Sequence, residues 1–277
     1  MKKAILLSIV LAAAAASAIP QAPVVTYGFV RDEYGNPLAD AAALSLRLVK
    51  DAEPDGLVYA KTSVGSTAFP GVNYRLSLEI DSDGPSRPYA VLKGTQMRIR
   101  FLMDGEDQPA TPLPVFATPA NGTAQRLDFS LGVDDDADGL PDAWERWVLA
   151  MDGRPNDASA LAAFRPGDDS DGDGMSNMGE FLAGTDPFLE TELLKIVSFE
   201  SDQPAGKTIV RFTTVPGRTY RLVTTSSLAD PVWVPVAAAR DPVAAPTYET
   251  YAGTGRSITL YFDTPAATEA FFRIAAQ

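Results

Sequence analysis

The 277 residues include no cysteine and no histidine. The first absence excludes disulfides, a lipidated cysteine, thiolate metal sites and cysteine nucleophiles. The second removes the usual zinc ligand, the commonest general base and every Ser-His or Cys-His catalytic pair. Positive charge is scarce as well. There are 23 Lys and Arg against 36 Asp and Glu, a net charge of −13. Nucleic-acid affinity rests on cations that neutralise phosphates, so no nucleic-acid partner is expected. Anionic membrane surfaces are disfavoured for the same reason. Long apolar runs are also lacking. The longest, Ala4 to Ala15, falls short of the ~20 residues that a helical span needs, so no membrane span is expected. Lys2 and Lys3 precede that run and Ala16-Ser17-Ala18 follows it. Together they read as a secretory signal peptide, residues 1–18, cleaved near Ala18. The expected location is extracellular or at the cell surface.

What the chain does have is acid in a repeated pattern. Asp134-Asp135-Asp136-Ala137-Asp138-Gly139-Leu140-Pro141-Asp142-Ala143-Trp144-Glu145 fits the twelve-residue calcium loop D-x-D-x-D-G-x5-E. Asp169-Ser170-Asp171-Gly172-Asp173-Gly174-Met175-Ser176-Asn177-Met178-Gly179-Glu180 fits it again. Acids at positions 1, 3 and 5 converge on one centre, and Gly at 6 allows the sharp turn. The carbonyl of 7 adds an oxygen, 9 often acts through water, and Glu at 12 closes the shell bidentately. The candidate ligands are therefore Asp134, Asp136, Asp138, Leu140, Asp142 and Glu145, then Asp169, Asp171, Asp173, Met175, Asn177 and Glu180. Two calcium ions per chain are expected. A merely solvating acidic linker would not place Gly and Glu at the same loop positions twice.

Either side of the loops the pattern has period two. Val72, Tyr74, Leu76, Leu78 and Ile80 alternate with polar residues; so do Leu44, Leu46 and Leu48, then Met97, Ile99, Phe101 and Met103, then Leu127, Phe129 and Leu131. Such alternation predicts half-buried strands. Turn chemistry separates them at Gly35-Asn36-Pro37, Asp83-Gly84-Pro85, Lys93-Gly94 and Asn121-Gly122. Asn121-Gly122-Thr123 also fits a glycosylation acceptor, although a turn accounts for the same residues. After Leu193 further strands are expected at 195–199, 208–214, 220–225, 233–237, 257–262 and 270–275. Between the loops, Trp144, Trp147 and Val148 give one apolar face to a helix after loop 1. A second helix is expected over Asp157 to Phe164, and a third from Ser176 to Ala183, stopped by Gly184.

The fold class expected is mainly β, with two β-sandwich domains flanking a small helical module. Residues 24–132 form the first sandwich, 133–190 the two-loop calcium module and 193–277 the second sandwich. Strand 126–131 runs almost directly into Asp134 and leaves no room for an incoming helix, so loop 1 is not a full helix-loop-helix hand.

Three resemblances add to this reading. Gly28, Val30, Asp32, Gly35, Pro37, Leu38 and Ala41 form a skeleton that resembles the carboxypeptidase-regulatory-like β-sandwich family, whose domains are non-catalytic appendages. Asp136-Ala137-Asp138-Gly139-Leu140-Pro141-Asp142 and Asp171-Gly172-Asp173-Gly174-Met175-Ser176-Asn177 look like bacterial thrombospondin type 3 repeats, which often close as Gly184-Thr185-Asp186-Pro187 does. Their apolar residue stands at position 7, whereas EF-hand pairs and dockerins prefer Val or Ile at position 8. Pro216-Gly217-Arg218, Tyr220, Leu222, Leu228, Trp233 and Phe271-Phe272-Arg273 are similar to C-terminal β-modules of large secreted bacterial proteins. Such modules serve attachment or export; a plain structural sandwich is equally open.

The function expected is that of a secreted, non-catalytic calcium-binding protein whose loops rigidify the joint between β-domains. The alternative is a dockerin-like or adhesive module with an extracellular protein or polysaccharide partner. A glycosidase would need paired acids in a cleft. No acids outside the loops stand at a telling spacing, so no enzyme is expected.

Overall fold

The structure, a computed structural model, describes residues 22–38, 43–65, 72–81, 89–202, 206–229, 232–247, 250–264 and 270–276. The leader at 1–18, Ala41 of the β skeleton and the turn Asp83-Gly84-Pro85 lie outside them. Among the described residues the fold is mainly β, with several sheets and three short helices.

Three hydrophobic cores follow one another along the chain. The first gathers side chains from two sheets. One sheet orders Ala124–Arg126, Val24–Gly28, Tyr74–Asp81 and Ala90–Leu92; the other orders Val115–Ala117, Gln96–Met103, Leu44–Lys50 and Ala60–Ser63. Period-two alternation does the sorting. Tyr74, Leu76, Leu78 and Ile80 turn inward while Arg75, Ser77 and Glu79 face out. Leu44, Leu46, Leu48, Met97, Ile99 and Phe101 close the same core from the second sheet. Each such side chain contributes about 2 kcal/mol of transfer free energy. The expected strand ends shift slightly. Val72 lies ahead of its strand, and Met103 at a strand end is exposed.

A small sheet links this unit to the loops. Val30–Arg31, Phe129–Leu131 and Ala110–Thr111 pair there, and Phe129–Leu131 runs straight into loop 1. The last core comes from the C-terminal strands Lys207–Phe212, Thr219–Thr225, Ile258–Asp263 and Phe271–Ala276, with Val210, Phe212, Tyr220, Leu222, Leu260 and Phe262 inside. Residues 233–237 yield only the two-residue strand Val234–Pro235. Proline has no N–H to extend a ladder.

Between them lie α1 (Asp142–Met151), α2 (Ala158–Leu161) and α3 (Asn177–Ala183). Asp157 caps α2 by accepting from Ser159 and Ala160 N–H, and Ser176 caps α3 by accepting from Gly179 N–H. Leu140, Trp144, Val148, Leu149, Leu161, Phe164 and Phe181 form the middle core. Trp144 stands edge-on to Phe181 at 5.1 Å and tilted against Phe164 at 5.9 Å. Trp147 departs from the expected apolar face. It is 52% exposed and meets Tyr34 of the first β unit edge-on at 6.3 Å. No helix among the described residues is long and apolar enough to cross a membrane.

Candidate metal centre

Each acidic loop folds around its own first aspartate. In loop 1, Asp134 accepts from Asp138 N–H at 3.2 Å and Gly139 N–H at 3.0 Å. In loop 2, Asp169 accepts from Gly172 N–H at 2.8 Å and Gly174 N–H at 2.9 Å. The fifth residue repeats a second bond: Asp138 accepts from Leu140 N–H and Asp173 from Met175 N–H. These bonds wrap the backbone so that the acids at 1, 3 and 5 turn toward one point. The result is two groups that could hold a metal ion, Asp134 with Asp136 and Asp138, and Asp169 with Asp171 and Asp173. Within each group the ligand oxygens lie within 4.8 Å of one another.

The residues at position 12 complete the picture. Glu145 and Glu180 sit on the first turns of α1 and α3 and are fully buried. Both carboxylate oxygens of Glu145 and Oε2 of Glu180 have no hydrogen-bond partner among the described residues; nor do Oδ2 of Asp171 and Oδ2 of Asp173. Buried polar atoms are nearly always paired, and a bound water or ion is among the partners that would satisfy such orphans. Burial pushes the Glu145 carboxyl up to about 8, and the charges of Asp138 and Asp136 push the same way. Burial, then Asp171 and Asp173, raises Glu180 to about 8. Asp136, Asp138 and Asp171 are raised too, first by burial. Close carboxylates in a half-buried site disfavour one another's ionisation, and a cation reverses that preference.

Positions 2 and 9 of each loop are bonded to each other. Asp142 accepts from Asp135 N–H at 2.9 Å, and the Ser170 hydroxyl donates to Asn177 Oδ1 at 2.8 Å. Ser170 therefore braces a candidate ligand, whereas Asp135 does so only through its backbone. Asp142 also faces Arg146 at 2.9 Å. Leu140 is buried in the middle core, so position 7 ties loop 1 to the helices, whereas Met175 is half-buried and its sulfur accepts from Leu194 N–H at 3.2 Å. The isolated β-bridges among the described residues do not join one loop to the other.

The loops are also fixed from outside. Thr111 of the small sheet donates to Asp134 Oδ2 at 2.6 Å, and Thr185 donates to Glu180 Oε1 at 3.4 Å. The largest anchor is Arg218, only 4% exposed, from the turn before Thr219–Thr225. Its guanidinium donates to the carbonyls of Leu182 at 3.2 Å and Phe181 at 3.1 Å at the end of α3. It also donates to the Tyr34 carbonyl at 3.0 Å and to Asn36 Oδ1. Asp32 shapes the loop that offers those last two acceptors, taking bonds from Tyr34 N–H and Asn36 N–H. Burial lowers the Arg218 pKa and the charge of Asp32 opposes that. Glycine is required on both sides. A Cβ on Gly35 (φ 78°) would lie 2.7 Å from the Phe181 carbonyl, and one on Gly184 (φ 78°) 2.9 Å from Arg218 Nε. The sequence shows Pro216-Gly217-Arg218 as a turn; nothing local marks Arg218 as the place where three cores meet.

No protein-family model matches the chain, and neither a curated protein nor a solved structure is detectably similar to it.

Proposed function

We propose that the chain is a secreted, non-catalytic calcium-binding protein in which two calcium ions make the helical segment a rigid joint between β units. One observation carries the reading. Two fully buried glutamates, each feeling the charge of aspartates in a triad that could hold a metal ion, leave oxygens without a partner among the described residues. The donor set is all oxygen, and the chain has no Cys or His to suit a softer ion. A bidentate glutamate and carbonyl donors suit calcium, whose coordination number is high and flexible; magnesium demands a stricter octahedron. Asp134, Asp136, Asp138, Asp142, Glu145 and the Leu140 carbonyl would hold one ion. Asp169, Asp171, Asp173, Asn177, Glu180 and the Met175 carbonyl would hold the other. The thrombospondin type 3 resemblance supports the same reading.

Point variants test it. Glu145→Gln and Glu180→Gln are each expected to remove one calcium equivalent in calorimetric titration, because the bidentate charge is lost. Asp135→Ala should leave both equivalents, since only its backbone serves the loop. Ser170→Ala should weaken the second site severalfold by releasing Asn177. Equal damage at Asp135 and Glu145 would mean diffuse attraction rather than coordination.

Binding should also release protons. The glutamates have raised values near 8 in the metal-free fold, so near pH 7 they are largely protonated and an ion must displace those protons. The sign for stability follows. A carboxyl raised on folding favours the metal-free fold below its unfolded value near 4.5. That contribution is lost as pH rises through 8. The metal-free module is thus expected to weaken between pH 5 and pH 8 while the calcium-bound one strengthens. Calcium titrations at pH 7 in buffers of different ionisation enthalpy should show net proton release; heats independent of buffer would contradict it.

A further inference from the structure

The two acidic loops share a design but not a ligand set. Position 9 is Asp142 in loop 1 and Asn177 in loop 2. Loop 1 therefore offers Asp134, Asp136, Asp138, Asp142 and Glu145, one carboxylate more than Asp169, Asp171, Asp173 and Glu180 of loop 2. Both side chains at position 9 are buried, Asp142 at 3% exposure and Asn177 at 0%. A charge held there is screened less than one at the surface. Arg146 faces Asp142 at 2.9 Å, but its side chain is 44% exposed. Water screens that cation, so it weakens the pull of the extra carboxylate without cancelling it. Asn177 is a neutral group already engaged at both ends. Its Oδ1 accepts from the Ser170 hydroxyl and its Nδ2 donates to the Arg165 carbonyl at 2.7 Å.

The loops also differ in what holds them. At position 1 of loop 1, Asp134 is half-buried and accepts from the Thr111 hydroxyl as well as from its own loop. Thr111 belongs to the small sheet, whose Val30 and Phe129 are part of the first core. At position 1 of loop 2, Asp169 is exposed and accepts only from Gly172 and Gly174 of the same loop. Position 7 repeats the contrast. Leu140 is fully buried among helical side chains, while the Met175 sulfur takes the N–H of Leu194, just ahead of the strand Ile196–Asp202. Arg218 holds the end of α3 from the same C-terminal unit. Loop 1 is thus built into the first β unit, and loop 2 is wired to the last. Ligand charge and site rigidity both set calcium affinity in such loops, and here both favour loop 1.

We propose that the two sites fill in order. Loop 1 takes calcium first and keeps it as a fixed part of the first β unit; loop 2 takes it second and is the site through which calcium level reaches the C-terminal unit. The proposal rests on the calcium reading above. Between the two dissociation constants the chain carries one ion, in loop 1. The C-terminal unit gains stability only with the second. Position 9 sets the interval: the extra carboxylate should make loop 1 roughly tenfold tighter.

The test is calorimetric titration of the full mature chain with calcium. The parent should show two steps. Glu180→Gln leaves loop 1 to be read alone and Glu145→Gln leaves loop 2 alone, and the first constant should be roughly tenfold the tighter. Asp142→Asn in the otherwise unchanged chain keeps the shape of position 9 and should bring the two steps together, which needs neither glutamate variant to fold. Calorimetric melting at one and at two equivalents gives the independent readout. The C-terminal transition should rise with the second equivalent and stay put with the first. Two equal sites, a loop 2 tighter than loop 1, steps that stay apart in Asp142→Asn, or a C-terminal rise complete at one equivalent would each overturn the proposal and leave the calcium reading standing. A parent that binds no calcium would end both.

Discussion

Adding a chelator is expected to melt the middle core of this protein and leave both β cores folded. The middle core holds seven buried side chains, five of them on three short helices and two, Leu140 and Phe164, just outside them. α2 has four residues and α3 seven. Helices of that length do not persist without tertiary support. Their support comes from the loops. Glu145 and Trp144 share one turn of α1, and Glu180 and Phe181 share one turn of α3. A cation that draws each glutamate toward its aspartates therefore sets the two aromatic side chains against each other. Without it, both oxygens of Glu145 and Oε2 of Glu180 are buried with nothing to accept from among the described residues. Ligand linkage supplies about 2.7 kcal/mol per site when free calcium is 100 times the dissociation constant. That constant should fall on the order of 10⁻⁵ to 10⁻³ M for a module facing extracellular calcium. Titration should saturate at two ions per chain. Limited proteolysis with chelator should cut first between Gly132 and Pro187 and spare the strand Tyr74–Asp81. A titration that saturates at no site, or cleavage indifferent to calcium, would end the calcium reading.

The loops were legible because their chemistry is local. Every candidate ligand of a loop falls within twelve residues, and the turn that gathers the aspartates needs only Asp, Gly and backbone N–H groups in sequence. The strands were legible for a similar reason: Tyr74 to Ile80 and Leu44 to Leu48 declare their inward face by period two alone. Trp147 marks where this kind of reading stops. On a helix, 144, 147 and 148 share one side, and sequence cannot say which edge of that side meets solvent. Tyr34, more than a hundred residues away, decides it. Ser170 was hidden for a smaller reason, since the loop consensus assigns position 2 no task and the hydroxyl finds Asn177 only once the loop has closed.

Arg218 gives the second large effect. Arg218→Met keeps most of the buried stem and removes every bond of the guanidinium. Four acceptors then lose their donor: the carbonyls of Phe181, Leu182 and Tyr34, and Asn36 Oδ1. Leaving buried acceptors unpaired costs about 1–3 kcal/mol each where no water replaces the donor. Some of the four will regain water, so a loss of about 3 kcal/mol is expected. The larger consequence is for coupling. In the parent, the guanidinium joins the end of α3, which loop 2 positions, to the turn before Thr219–Thr225 and to the Asp32–Asn36 loop. Calcium at loop 2 should therefore raise the melting temperature of the C-terminal β unit although no ligand belongs to it. Arg218→Met should abolish that rise while leaving calcium stoichiometry at two, because no loop ligand is touched. Arg218→Lys should not restore it, since one ammonium cannot span acceptors that a planar fork bridges. Arg211→Ala, at an exposed strand position, is the control and should be near silent. The readout is calorimetric melting with and without calcium, together with cleavage near 189–194. If the variant melts as the parent does and calcium still shifts its C-terminal transition, the three cores are coupled by other contacts and Arg218 is not their tie.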